Sequence, residues 1–214
     1  GKAFSSNRHG VGEFWAQKID DDGNLIWRNY YGGTNNDRSY DAILTSDGNY
    51  LLVGTSESQD VDISQPKGSY DIWVVKINNK GKLLWERSFG GSSFDRAASV
   101  IEYPLGNYII AGQSLSSDGD IIQPEGNSDI VLVELNHDGS QSFVKNLGGP
   151  TFDSGEDLIP TKQGNILVLG TTHSKAIEVS SNVVSETNEN SATILYELFP
   201  FNRKIKTYIL DGSG

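Results

Sequence analysis

Residues 71–91 read DIWVVKINNKGKLLWERSFGG: an apolar run, a tight turn, a second run carrying a tryptophan, and a glycine pair. The unit occurs before, as EFWAQKIDDDGNLIWRNYYGG from Glu13 to Gly33. It occurs again as DIVLVELNHDGSQSFVKNLGG from Asp129 to Gly149, and a worn fourth copy runs from Thr193 to Gly212. The first three copies share one offset of 58, which aligns Trp15 with Trp73 and Val131, and Trp27 with Trp85 and Phe143. Gly33, Gly91 and Gly149 stay in phase, as do Asp37, Asp95 and Asp153. Glycines and aromatics in phase over several copies are the mark of a repeat architecture. Such a pattern speaks to fold far more than to activity.

Each period reads as four short strands. In the second, Ala97–Tyr103 and Tyr108–Ser114 flank a turn at Gly106-Asn107, a polar loop runs from Leu115 to Ser128, and Ile130–Leu135 and Gln141–Leu147 flank Asp138-Gly139. Asp22-Gly23-Asn24 and Asp47-Gly48-Asn49 supply the positive φ that short hairpin loops need. Leu51-Leu52-Val53 and Ile109-Ile110-Ala111 are apolar on both faces, so these strands are expected to be covered on both sides. Four short strands per period, in tandem, predict an all-β chain folded as a β-propeller of four-stranded blades. A β-helix has shorter coils, and a leucine-rich solenoid needs a helix-like return that is absent here.

The phase follows from crowding at the axis. Small residues suit the inner strand, so Ser39-Tyr40-Asp41-Ala42 and Ala97-Ala98-Ser99 are assigned to strand A, YLLVGTS to B, IWVVKI to C and LLWERSF to the outer strand D. Trp27 and Trp85 are then expected to pack between blades, and the glycine pair to hand the chain to the next blade. This phase divides the chain into a half blade over 1–36 and blades over 37–94, 95–152 and 153–214. The half blade comprises the end of a strand B at Gly1–Ser6, then C and D. Three and a half blades imply a partial ring, completed by further blades or by a partner. The sequence opens on Gly1 and contains no Met, so a removed leader or a longer parent chain is expected.

Composition narrows the partners. Lys+Arg 17 against Asp+Glu 28 leaves a net charge of −11, which disfavours nucleic acid and anionic membrane surfaces. With no Cys, disulfides and thiolate metal sites are excluded. No apolar run reaches the ~20 residues of a membrane-spanning helix.

The repeat resembles a known family through Asp71-Ile72-Trp73-Val74-Val75-Lys76, Gly81 to Trp85, Gly90-Gly91 and Ser116-Ser117-Asp118-Gly119-Asp120. It is similar to the tandem propeller repeat of secreted and outer-membrane Bacteroidota proteins, and to quinoprotein-like propellers. The third period departs from that pattern, with Phe143 for the tryptophan and Ser174-Lys175-Ala176 in the loop. The resemblance implies a propeller in an extracytoplasmic setting: secreted, periplasmic or on the outer-membrane surface. It also implies an envelope role, as a component or cargo of a secretion complex. It implies no single activity.

In a propeller the D–A and B–C loops share one face, which here collects the acids. Asp37, Asp95 and Asp153 fall near the channel mouth, where one Asp per blade in constant register reads as a structural hydrogen bond. Asp60, Asp62, Asp118 and Asp120, with Ser58 and Ser116, are candidate calcium ligands. The competing use is to cap turns through side-chain to backbone bonds. Glu178 lies in the same loop set. No other cofactor is expected.

For catalysis the inventory is thin. His9, His137 and His173 have no evident nucleophile beside them, and G-x-S-x-G and H-E-x-x-H are absent. Paired carboxylates could serve a carbohydrate-cleaving or carbohydrate-binding face, with Tyr31 on the D–A loop as a stacking platform. The repeat breaks most at Ser174–Ser191, read as a long polar loop. That loop and the Phe199-Pro200-Phe201 turn are a candidate protein-docking element, with Val183, Val184, Phe199 and Phe201 as contacts. The primary expectation is a non-catalytic interaction or scaffold propeller; a carbohydrate-directed propeller is the alternative.

Overall fold

The computed structural model describes residues 8–122, 124–174, 176–179, 182–186, 192–200 and 203–210, with backbone alone at 104, 176–179 and 182–186. Strands β1 (Phe14–Ile19) and β2 (Leu25–Tyr31) form a two-stranded sheet. Three four-stranded antiparallel sheets follow in sequence order. The second sheet holds β3 (Asp37–Leu44), β4 (Tyr50–Ser56), β5 (Asp71–Ile77) and β6 (Leu83–Phe89). The third holds β7 (Asp95–Tyr103), β8 (Asn107–Ser114), β9 (Asp129–Leu135) and β10 (Gln141–Leu147). The fourth holds β11 (Asp153–Pro160), β12 (Ile166–Thr172), β15 (Ala192–Phe199) and β16 (Lys204–Leu210). Between β12 and β15 lies a separate hairpin of β13 (Ala176–Val179) and β14 (Asn182–Glu186). This is a β-propeller arrangement of four-stranded blades.

Blade stacking explains the doubly apolar strands. Leu51 and Val53 of β4, with Ile72 and Val74 of β5, face Ala97, Val100, Tyr108 and Ile110 of the next blade. Leu52, Trp73, Val75 and Ile77 face back onto Phe14 and Tyr31 of the first sheet. The pattern repeats one blade on, where Ile109, Ala111, Ile130 and Leu132 meet Leu158, Ile166, Val168 and Tyr196. Each of the larger aliphatic side chains among them, buried from water, contributes about 1.5–3 kcal/mol against the entropy of ordering the chain. Trp73 is fully buried, meets the Phe14 ring edge-on at 4.6 Å, and donates its indole N–H to Glu86 at 2.8 Å.

The outer tryptophans join blades at the hairpin end. Trp27 lies against the next blade's C–D turn, where a side chain on Gly81 would crowd its ring at 3.0 Å, and its N–H reaches the Asn79 carbonyl at 3.0 Å. Trp85 lies against Gly139 one blade further on. Phe143, which has no N–H to donate, is covered instead by the Arg203 guanidinium at 4.9 Å.

At the inner edge, β7 lies against both β3 and β11. Each inner strand carries a β-bulge at one position: between Ser39 and Asp41, Ala97 and Ser99, and Gly155 and Asp157. A bulge bends the strand and re-aims the following side chain. As a result the equivalent residues Asp41, Ser99 and Asp157 of three successive blades meet: Ser99 Oγ lies 3.3 Å from Asp41 Oδ2 and donates to Asp157 Oδ1 at 3.0 Å.

Two readings of the sequence need correction. Ser174–Ser191 is not simply a loop, since β13 and β14 pair within it. The β-branched residues Ile177, Val179, Val183 and Val184 favour strand there, and counting polar residues obscured this. Tyr31 is not on the D–A loop; it ends β2 and is 4% exposed.

Candidate functional site

The acidic loop face is built from two loops per blade, the crossover that enters a blade and that blade's own B–C loop. At the second sheet, Asp60 accepts the backbone N–H of Thr34 at 2.9 Å and the Thr34 hydroxyl at 2.9 Å. Asp62 accepts from Gly32 N at 3.1 Å, and its own N–H returns to Gly32 O at 3.3 Å. Ser58 accepts from Asn35 N at 2.9 Å. The third sheet repeats the scheme: Ser92 N donates to Asp118 at 2.7 Å, Gly90 N to Asp120 at 3.3 Å, and Ser93 N to Ser116 at 3.0 Å. In the fourth, Ser174 keeps its place, accepting from Thr151 N at 3.1 Å.

These contacts bear on the calcium reading. The four carboxylates meet N–H donors, which present positive partial charge where a cation needs oxygen ligands. Among the described residues no group of three or more His, Asp or Glu side chains is arranged to hold a metal ion. The Ser92 N–H is the main cause that holds the Asp118 carboxyl below its ordinary pKa. The close approach also explains the glycine pair. A Cβ on Gly33 or Gly91 would collide with Asp60 or Asp118, so the second glycine of each pair lets the loop close.

Beneath this layer lie Asp37, Asp95 and Asp153, the first residues of β3, β7 and β11. They are at most 1% exposed, so they sit under the loops and do not line an open mouth. Asp37 accepts from Ser56 Oγ at 2.5 Å, Ser58 Oγ at 3.0 Å and Gly33 N at 2.8 Å. Asp95 accepts from Ser114 Oγ, from Ser116 Oγ at 2.8 Å and from Gly91 N at 2.8 Å. Asp153 keeps Gly149 N at 2.8 Å and Ser174 Oγ at 3.0 Å, but its Oδ1 has no hydrogen-bond partner. Thr172 stands there in place of the serine, with its hydroxyl turned to Ser174 O at 3.5 Å. Burial raises the pKa of all three aspartates against these donors.

A second tier escaped the sequence reading. Glu13, Asp71 and Asp129 occupy one register at the entrance to each C strand, a signal the 58-residue offset already carried. Each takes N–H groups from its own B–C loop: Gly10 N to Glu13 at 3.0 Å, Lys67 N to Asp71 at 2.6 Å, and Glu125 N to Asp129 at 2.8 Å. In each, the other carboxylate oxygen is buried without a hydrogen bond. Burial, with Asp95 and Asp153 close by, pushes Asp71 and Asp129 up to about 6.

The remaining candidates are scattered. Phe199 ends β15 half-buried under the Lys206 ammonium, at 5.1 Å. Val183 and Val184 lie on β14, and their side chains, like that of Glu178 on β13, are outside the described residues, as is Phe201. Gly1–Ser6 also lies outside them. His173 packs against Phe152 at 5.8 Å, far in sequence from His9 and from His137 in the turn between β9 and β10. The Tyr31 hydroxyl donates to Gly81 O at 2.6 Å, and burial holds its phenol up to about 12. That ring cannot serve as an exposed glycan platform.

A concavity lies elsewhere, between β1 and the face of β3 and β4. It encloses about 650 Å³ and is lined by Trp15, Gln17, Ile19, Tyr40, Ala42 and Tyr50 among others.

Fold and loop face together define a propeller whose acids are spent on repeating internal hydrogen bonds. No family model matches the sequence, and no curated protein matches it. Among solved structures, two variants of Synechocystis apocarotenoid oxygenase are similar, each with a TM-score of 0.44. They share 13% and 12% sequence identity with the chain, and the match covers 94% of this chain and 45% of theirs. The chain therefore spans less than half the length of those structures. Among the described residues, no helix is long and apolar enough to cross a membrane.

Proposed function

We propose that the protein is a non-catalytic propeller module for protein interaction and scaffolding, belonging to a secreted, surface or outer-membrane-associated bacterial protein. One observation carries this reading: the loop-face carboxylates are committed, blade after blade, to backbone and serine donors. A catalytic site needs a group that is free to exchange protons or to contact substrate. Symmetric, internally satisfied acids provide rigidity instead. The resemblance of the repeat to exported Bacteroidota propellers supports the envelope setting, where the partner is a protein of the secretion or surface apparatus. The buried Tyr31 removes the feature that favoured a carbohydrate ligand.

The test is in-cell crosslinking of the tagged protein in its native host, with mass spectrometry of the adducts. The expected result is one dominant envelope protein partner. Recovery without any partner would count against the module reading. So would glycoside turnover by the purified chain that is lost in Asp41→Asn or Asp157→Asn.

A further inference from the structure

A small polar cavity of about 190 Å³ lies between the second and third sheets. Gln65 and Lys67 of the second sheet's B–C loop line it, with Arg87 of β6, Asp120 of the third sheet's B–C loop, and Gly139 and Gln141 at the third sheet's C–D turn. Pockets for drug-sized ligands run to roughly 300–1,000 Å³, so this one suits a single functional group on a short stem.

Two of these residues break the repeat. At the 58-residue offset, Lys67 and Arg87 correspond to His9 and Asn29 one copy back, and to Glu125 and Lys145 one copy on. Of the three copies, this one alone places two fixed cations at those positions. Asn29 shows what the fold itself requires. Its Nδ2 donates to Gly81 O at 2.7 Å, and Arg87 Nε does the same to Gly139 O at 3.1 Å. An amide is enough for that bond, so the guanidinium charge is surplus to it. Nη1 donates to Glu86 O at 2.7 Å, and the group lies 5.7 Å from the centre of the Trp85 ring, which together fix its position. Nη2 has no hydrogen-bond partner among the described residues. Nor does Arg87 make an ion pair among them, in a chain whose net charge is −11. Lys67 is anchored through its backbone N–H, which donates to Asp71 at 2.6 Å, while its Nζ lies 3.5 Å from Asp120 Oδ2. That oxygen also accepts from Gly90 N at 3.3 Å. An ammonium carries three donors, so one shared carboxylate oxygen leaves it unfilled.

We infer that this cavity is a binding site for a carboxylate group. Lys67 and Arg87 against Asp120 leave one positive charge in the lining. A monoanion matches it, whereas a phosphate dianion would be repelled by Asp120. A planar carboxylate has two oxygens to share between the guanidinium and the ammonium, and both bonds are charge-assisted. The side-chain amides of Gln65 and Gln141 add neutral donors to the lining. A free small acid and an acidic side chain of a protein partner present the same group. The site stands independently of the scaffolding role.

The test is an NMR titration of the isotope-labelled 214-residue chain with sodium propionate, with the blocked peptide acetyl-Gly-Glu-Gly-amide, and with propionamide as the neutral control. The expected result is saturable shifts at the Arg87 Nε–H and at the Gln65 and Gln141 side-chain amides with propionate or the peptide, and none with propionamide. A tighter response to propionate identifies a free acid as the ligand; a tighter response to the peptide identifies an acidic side chain. Lys67→Gln and Arg87→Asn, the latter copying Asn29, should each weaken the affinity by about tenfold. Lys67→Gln alters only a loop side chain, so it carries the test if Arg87→Asn does not fold. Absence of shifts with both acids overturns the inference. So does a stronger response to inorganic phosphate than to propionate, or an affinity that survives the substitutions.

Discussion

Asp95 shows what one residue does in this fold. It is buried at the first position of an inner strand and gathers a crossover N–H and two serine hydroxyls. Asp95→Ala strands those donors without water, so a loss of about 3 kcal/mol is expected in urea unfolding. Asp118→Ala should cost far less, because its partner Ser92 is exposed and its N–H can turn to water. Equal losses would overturn this layering. Leu105 is the opposite case. It sits in the turn between β7 and β8 at φ 77 and is 88% exposed. A left-handed conformation costs a non-glycine residue about 1 kcal/mol or more. Leu105→Gly is therefore expected to raise the melting temperature by roughly 2–4 °C, the shift for about 1 kcal/mol in a chain of this size. A lower melting temperature would show that the turn is not strained.

At the scale of elements, the B–C loops act as clamps on the crossovers. Asp60, Asp62, Asp118 and Asp120 were legible as a repeated acidic set, but their partners were not. Those partners are backbone N–H groups more than twenty residues upstream, and no side-chain pattern marks a backbone donor. Because N–H donors occupy the carboxylates, a chelator is expected to leave the calorimetric transition in place, and added calcium to leave it unraised. A drop with chelator would support the cation reading instead. The bulges belong to this scale too. Their positions repeat at Tyr40, Ala98 and Glu156, between the paired residues on either side. Nothing in those three side chains announces a bulge, since it arises from the pairing with the neighbouring strand.

For the whole molecule, the buried carboxyl tiers predict how stability depends on pH. Asp71 and Asp129 bind protons at about 6 when folded and near 4 when unfolded. Between those values the folded chain holds protons that the unfolded chain lacks. Stability should therefore climb as pH falls from above 6 toward 4, by on the order of 2 kcal/mol per carboxyl, and then level off. The carboxyls held low, such as Asp20 and Asp138, act in the opposite sense at lower pH, where their stabilisation is lost. Melting temperatures measured from pH 7.5 to 4.5 check the rise. Asp71→Asn, which keeps an acceptor for Lys67 N without the charge, should flatten it; an unchanged slope rules the tier out as its source.

The sequence by itself determined the repeat, its length, the strand phase and the turn chemistry. These are local, periodic properties: alternation along a strand, glycine where φ must be positive, aromatics at a constant offset. The repeated acids were equally plain as a pattern. Only the tertiary structure decided what each acid faces, because facing is a matter of which crossover lies above which loop. It also placed Tyr31 inside and paired β13 with β14. Those outcomes depend on which segments pack against one another, and no single residue encodes its distant neighbours.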